Sequence, residues 1–326
     1  MPLISAIGKY LDQPLLTAKI NKNVPSMLAI SSGMIFAHEI HKSPKDGRKS
    51  KGIKITATLL ATAISAVNAP KIASFITKRT PTRKVSQLIK DNTKIVDEYL
   101  KTNKVEEKTE KILQKAKSKV LSLHEVAVLF SNKKHSQIAN QLIPPPDNIN
   151  AKDIFKEIGW LSVYGAVPVA GGIAGGVIGD KITEKNWKDR VPNKLKEGIY
   201  QYLANIFLCN IGAGVALGAL EKMNIKSKGA RCVGMIGGIL ATGVIGGSVI
   251  ANYIGQKVIN PLISKDNKKD IRTPELLDLS LHTDDIATVS LLSGLKWIEP
   301  SLPVLYSVSG YRAGIGYRNN KQENQK

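Results

Sequence analysis

The chain has 326 residues, with 47 Lys and Arg against 26 Asp and Glu, a formal charge of +21, 43% hydrophobic residues and 27 glycines. That much apolar content excludes a wholly disordered chain. Its only cysteines, Cys209 and Cys232, form no Cys-x-x-Cys pair, which excludes a disulfide framework and a cysteine-built metal centre.

Residues 1–77 read as an N-terminal membrane-associated region with one or two apolar helices. Residues 23–38 are uncharged apart from His38 at the end, but 16 residues make only about 24 Å of helix, short of the roughly 30 Å of bilayer hydrocarbon, and Pro25 lies inside. Residues 55–77 are better suited to span, since their single charge, Lys71, sits near one end where it can snorkel. His38 and His41 can share a helix face, but no third metal ligand is visible, and interfacial histidines flanking a span account for them.

Residues 78–157 form a basic helical polar region. Ile112, Ala116, Val120, Leu123, Ala127 and Phe130 follow a helical period with Lys111, Lys115 and Lys119 elsewhere on the surface, which predicts a basic amphipathic helical insertion. The prolines 144–146 end it as a stiff linker before Asn150, a candidate helix cap.

Residues 158–262 read as a glycine-rich three-helix membrane core. Residues 158–179, 198–220 and 232–256 carry no charged side chain over 22, 23 and 25 residues. Even the shortest run is about 33 Å long as a helix. Seven glycines fall in the first run and seven in the third. In a water-soluble helix seven would cost about 5–7 kcal/mol relative to Ala, the whole stability of many domains. In hydrocarbon the helix persists because unpaired backbone groups are so expensive there, and small residues let neighbouring backbones approach. Gly165, Gly172, Gly176 and Gly179 are read as one packing face, with Gly171 and Gly175 as an adjacent stripe. Asn210, Gly214 and Gly218 form a second, and Gly243, Gly247 and Gly255 with Ala251 a third. Asn210 is expected to hydrogen-bond across such an interface.

Residues 263–326 hold a Pro-broken apolar segment and a basic tail. Within residues 286–311, Lys296 and Glu299 are three apart and Pro300 and Pro303 follow; with Asp284 and Asp285 upstream they are the candidate residues of a transport path. The repeated Gly310-Tyr311-Arg312 and Gly316-Tyr317-Arg318 reads as a membrane-interface anchor in preference to a nucleic-acid contact.

Enzymatic motifs fail by small margins. Residues 212–218 place the last glycine one residue late for a dinucleotide loop, residues 124–128 lack the second His of a zinc protease, and residues 246–250 lack the closing glycine of a nucleophile elbow. No cofactor and no metal is assigned.

The expectation is therefore an all-α, multi-pass helical membrane protein of about four to six spans, non-enzymatic, a scaffold or assembly component, with a transporter or channel as the alternative. Expected partners are membrane lipid, anionic by the charge, and other chains docked through the glycine-rich helices; nucleic acid is not expected. A bacterial inner membrane is the expected location. With six spans and both termini inside, residues 78–157 are cytoplasmic while the basic connections 41–54 and 181–196 fall outside, against the positive-inside rule. Turning residues 23–38 into a re-entrant or interfacial piece repairs this.

Overall fold

The computed structural model describes residues 3–79, 83–145, 151–263, 271–275, 278 and 300–318. It is 86% helical, with no strand among the described residues. Among the described residues four stretches are long and apolar enough to cross a membrane: Lys45–Thr77, Phe155–Thr183, Trp187–Lys222 and Ala230–Ile263. The shortest has 29 residues, about 44 Å of helix against about 30 Å of hydrocarbon. Four such helices point to a membrane location.

The helices are α1 (Leu3–Leu11), α2 (Pro14–His41), α3 (Arg48–Thr77), α4 (Val85–Thr102), α5 (Glu107–Ala116), α6 (Leu123–Ser131) and α7 (Ser136–Leu142). They continue as α8 (Ala151–Thr183), α9 (Val191–Tyr202), α10 (Leu208–Lys222), α11 (Lys228–Ile239), α12 (Ser248–Ile254), α13 (Asn260–Ile263) and α14 (Leu302–Ile315). Short π-helical stretches, Leu203–Phe207, Leu240–Gly247 and Gly255–Ile259, join α9 to α10 and α11 through α12 to α13. Residues 23–38 are not an isolated piece: they belong to the 28-residue α2, with Pro25 inside it.

The chain divides into two compact units. The smaller takes residues 1–23 and 81–149 together with 290–301, most of which lie outside the described residues. Its core is Val96, Ile112, Leu113, Ala116, Leu121, Val126, Leu129, Ile138, Ala139 and Leu142. The apolar period read through residues 112–130 is carried by two helices, α5 and α6, not one. Ser122 starts the second with a capping box: its side chain accepts from the Glu125 N–H while Glu125 accepts from the Ser122 N–H at 2.7 Å. Gln13 then clamps the intervening turn, donating to the Leu121 carbonyl at 2.9 Å and accepting from the Leu121 N–H at 2.8 Å. A buried turn satisfied in this way has no need to continue the helix.

The larger unit takes residues 24–80, 150–289 and 302–326 over their described parts. Helices α3 and α8 run antiparallel, fixed at one end by the ion pairs of Lys54 with Asp180 (3.6 Å) and Glu184. At the other end Trp160 Nε1 donates to Ser74 Oγ at 3.3 Å and Arg79 pairs with Glu157 at 3.1 Å. The second half of α2 turns back along α3, with Val24 and Leu28 against Ala66 and Ile35 and Ile40 beside Ile55 and Leu59. Helix α14 lies in the angle between α3 and α8, so the packed centre reaches beyond residues 158–262 to include segments from both ends of the chain.

Candidate functional site

The glycines mark where backbones come closest. A Cβ on Gly172 would fall on the Gly310 carbonyl and one on Gly176 on the Gly314 carbonyl, both far inside contact distance. Gly171, Gly175 and Gly179 turn toward α3 instead: a Cβ on Gly175 would stand 2.5 Å from the Ala57 carbonyl and one on Gly179 2.8 Å from Lys54 Cα. Gly179 thus belongs with Gly171 and Gly175, at steps of four, and not on the face of Gly172 and Gly176. Gly165 faces a different neighbour, Ile206 Cγ2 at 2.7 Å. On α3, Thr58 and Thr62 turn their hydroxyls back to the Lys54 and Thr58 carbonyls (2.8 and 2.7 Å), leaving their methyl groups against Gly314 and Gly310.

The other two glycine series have different neighbours. Gly214 meets Ile158 and Phe155 side chains, and Gly218 is half-buried on α10. Helices α10 and α11 meet backbone to backbone at Gly212 and Gly238, with Thr242 Oγ1 donating across to the Leu208 carbonyl at 2.7 Å. Gly243 and Gly247 approach Cys209 and Ala204 (both 2.6 Å for an added Cβ), and Gly255 lies 3.6 Å from Lys196 Cγ on the same measure. Asn210 is buried and donates to the Ile206 carbonyl of its own helical stretch at 2.6 Å. Lys296, Glu299, Asp284 and Asp285 lie outside the described residues.

A buried ion network, invisible as a motif, lies among α9, α14, residues 271–275 and Asp278. Glu197 and Arg272 each have fully buried side chains, 3.3 Å apart. Arg272 also forks onto Asp278, with its Nη2 at 2.9 and 2.8 Å from the two carboxylate oxygens. Arg312 reaches Glu275 at 3.0 Å and Asp278 at 3.3 Å, and Arg318 reaches Glu197 at 3.7 Å. Three guanidiniums therefore face three carboxylates. Glu197 continues along its helix as a polar ladder: Gln201 donates to it at 2.8 Å and Asn205 donates to Gln201 at 2.9 Å.

Local structure builds the network. Asn252 on α12 holds the Arg272 backbone from both sides, donating to its carbonyl at 2.8 Å and accepting from its N–H at 2.9 Å. Helix α14 ends on Gly316 at φ +67°, where the Tyr317 N–H returns to the Arg312 carbonyl at 3.1 Å. That reversal brings the Tyr317 ring to 4.4 Å from the Arg312 guanidinium and its hydroxyl to 2.9 Å from Glu275, to which it donates. The Arg272 guanidinium lies 4.5 Å from the Tyr200 ring centre. Burial opposes charge on Arg272, yet the Glu197 and Asp278 carboxylates more than reverse this and hold its pKa above the ordinary value. Burial and the bond to Glu275 push the Tyr317 phenol up.

The first Gly-Tyr-Arg repeat is thus not an interface anchor: Tyr311 and Arg312 are buried, Tyr311 against Ile55 and Leu59, whereas Tyr317 and Arg318 of the second are half-buried. Sequence reasoning missed Glu197, Arg272, Asp278 and Arg312 as one group. Steps of four from Glu197 through Gln201 to Asn205, at the start of an otherwise apolar run, were the available signal. Adjoining the network, Asp180 pairs with the buried Lys194 at 3.0 Å, and Lys194 donates to the Gly314 carbonyl. Chemically, the arrangement neutralises itself and ties residues 271–275, Asp278 and the end of α14 to α9. No protein-family model, curated protein or solved structure matches the chain.

Proposed function

We propose that the chain is an integral membrane protein that performs no reaction of its own and serves as a scaffold or assembly component. The observation carrying this reading is the distribution of side chains. Leu60, Ile64, Phe75, Ile178, Val233, Ile245 and Val249 are exposed, while Glu197, Arg272, Asp278 and Arg312 are enclosed. Water favours the opposite arrangement, and lipid favours this one.

In this reading the glycine ridges of α8, α10 and the Ala230–Ile263 stretch act as a zipper that packs helices in lipid, both within the chain and against further copies or other subunits. The basic, amphipathic α5 and α6 present a solvated face to partners, the membrane is a bacterial inner membrane, and its lipid partners are anionic. In the decisive experiment the chain stays in the membrane pellet after carbonate washing, is released by detergent, and runs in mild detergent as an assembly heavier than its own 35.3 kDa. A chain released by carbonate, or one monomeric in every mild detergent, overturns the reading.

A second reading is favoured by one observation, the Glu197–Gln201–Asn205 ladder buried in a candidate span. A transporter would use it with Lys296, Glu299, Asp284 and Asp285. Ion flux in reconstituted vesicles that vanishes in Glu197→Gln and Lys296→Ala supports it, and absence of flux from the wild type removes it.

A further inference from the structure

An open groove of about 660 Å³ runs between the second half of α2 and the first half of α3. It is lined by Phe36, Ile40, Ile53, Ala57 and Leu60, and by Arg48 and Lys49 from the first turn of α3. Phe36, Ile53 and Leu60 are among the exposed large apolar residues, so the groove is lined with surface that is costly to leave in water. Both cations are exposed. Arg48 uses its Nε to donate to the Ser43 carbonyl at 3.1 Å, and its two terminal nitrogens have no partner among the described residues. The first turn of α3 carries no acidic side chain to compete for them.

An apolar trough whose lining also carries a guanidinium and an ammonium matches one ligand chemistry. Resting on the membrane reading above, we propose that this groove binds an anionic phospholipid. The phosphate sits between Arg48 and Lys49, where the planar guanidinium can bind two of its oxygens at once. One acyl chain runs down past Phe36, Ile40 and Ile53 to Leu60. Gly52 lines the groove, and an added Cβ there makes ordinary contact with Ile40 Cδ1 at 3.7 Å, so a side chain at this position enters the groove without meeting backbone.

The test uses the full chain, purified in mild detergent and exchanged against mixed micelles of phosphatidylglycerol and phosphatidylcholine, with the retained lipid counted by native mass spectrometry. Wild type retains phosphatidylglycerol in preference to phosphatidylcholine. The double variant Arg48→Gln/Lys49→Gln loses that preference by roughly thirtyfold, at about fivefold for each cation near an anionic group. The charge-keeping exchange Arg48→Lys/Lys49→Arg retains most of it, which separates lost binding from lost folding. Gly52→Leu fills the trough and loses both lipids, whereas Lys185→Gln/Lys188→Gln removes exposed cations outside the groove lining and changes nothing. Unchanged retention in the Arg48/Lys49 or Gly52 variants overturns the site, as does equal loss in the Lys185/Lys188 variant, which would mean a diffuse charge effect. A wild-type chain that is monodisperse without detergent overturns the membrane reading itself, a failure distinguishable from loss of the groove alone.

Discussion

Gly172 and Gly310 meet backbone to backbone, Gly172 from α8 and Gly310 from α14, with the Gly310 carbonyl where a Gly172 side chain would begin. Backbone on both sides means that neither can yield by a rotamer change, so any side chain must separate the helices. Gly172→Ala is expected to cost about 1–3 kcal/mol and Gly172→Leu more. Thermal unfolding in detergent measures it. Gly237→Ala is the control, because an added Cβ there meets nothing within 4 Å; its midpoint stays at or above wild type.

Glu197 sits in the ion network with three arginines and makes the sharpest electrostatic prediction. Glu197→Gln keeps the shape but leaves Arg272, Arg312 and Arg318 opposite only Glu275 and Asp278. Removing one partner from a buried set costs about 3–5 kcal/mol, because an uncompensated charge stays behind. The double variant Glu197→Gln/Arg318→Gln restores the balance and is expected to recover part of the loss. A double-mutant cycle on unfolding midpoints reads the coupling, and strictly additive losses would show that the charges act independently.

The spans were legible because charge must leave a stretch that crosses hydrocarbon, and its absence can be counted along the chain. Residues 158–179, 198–220 and 232–256 each fall inside a helical stretch long enough to cross. The direction of each glycine was not legible. Gly179 is seven residues from Gly172 and four from Gly175, and helical spacing admits either face; only the position of Lys54 on α3 decides. The ion network was hidden for a different reason. Glu197, Arg272 and Arg312 are far apart in sequence: Glu197 and Arg312 each look like a charge at the end of an apolar run, and Arg272 like one more charge in the polar stretch 264–275. The two-helix character of residues 107–131 was readable from Ser122 and Glu125, three apart as a capping box requires.

Tyr317 gives a pH signature. Burial and the hydrogen bond to Glu275 favour its neutral phenol, so the folded pKa stands above the unfolded value of about 10. A raised folded pKa contributes stability that is complete below the unfolded value and lost as pH rises through the folded one. In a spectrophotometric tyrosinate titration, wild type minus Tyr317→Phe is expected to show one phenol ionising later than a free tyrosine. A difference curve centred at or below the free value would contradict the bond to Glu275.

Glu125 works in the opposite sense. Burial alone would raise its pKa, but the Lys115 ammonium at 2.7 Å and the Ser122 N–H hold it below the ordinary carboxylate value. A depressed folded pKa gives stability present above the unfolded value of about 4.3 and lost as pH falls through the folded one. Ser122→Ala is expected to cost about 1 kcal/mol of local stability, read as roughly fivefold faster amide exchange across α6. For Glu125→Gln, the exchange difference from wild type is present at neutral pH and disappears in acid, since intrinsic exchange rates cancel between the two proteins.

The direction of α3 against α8 predicts sidedness. Lys54 meets Asp180 and Glu184 at one end, while Arg79 meets Glu157 at the other. The short connections 42–54 and 181–190, with exposed Lys42, Lys45, Lys49, Lys181, Lys185 and Lys188, therefore share an end. The connection 223–227, after α10, falls at the opposite end with fewer cations, and residues 81–149 form too long a connection to weigh in the positive-inside rule. The rule then puts the lysine-rich end in the cytoplasm. On a Cys209→Ala/Cys232→Ala background, a membrane-impermeant maleimide is expected to label Lys226→Cys from outside the intact membrane, and Lys49→Cys and Lys185→Cys only after lysis. The reverse pattern would invert the orientation, and labelling of Lys49→Cys and Lys185→Cys from opposite sides would contradict the antiparallel packing of α3 on α8.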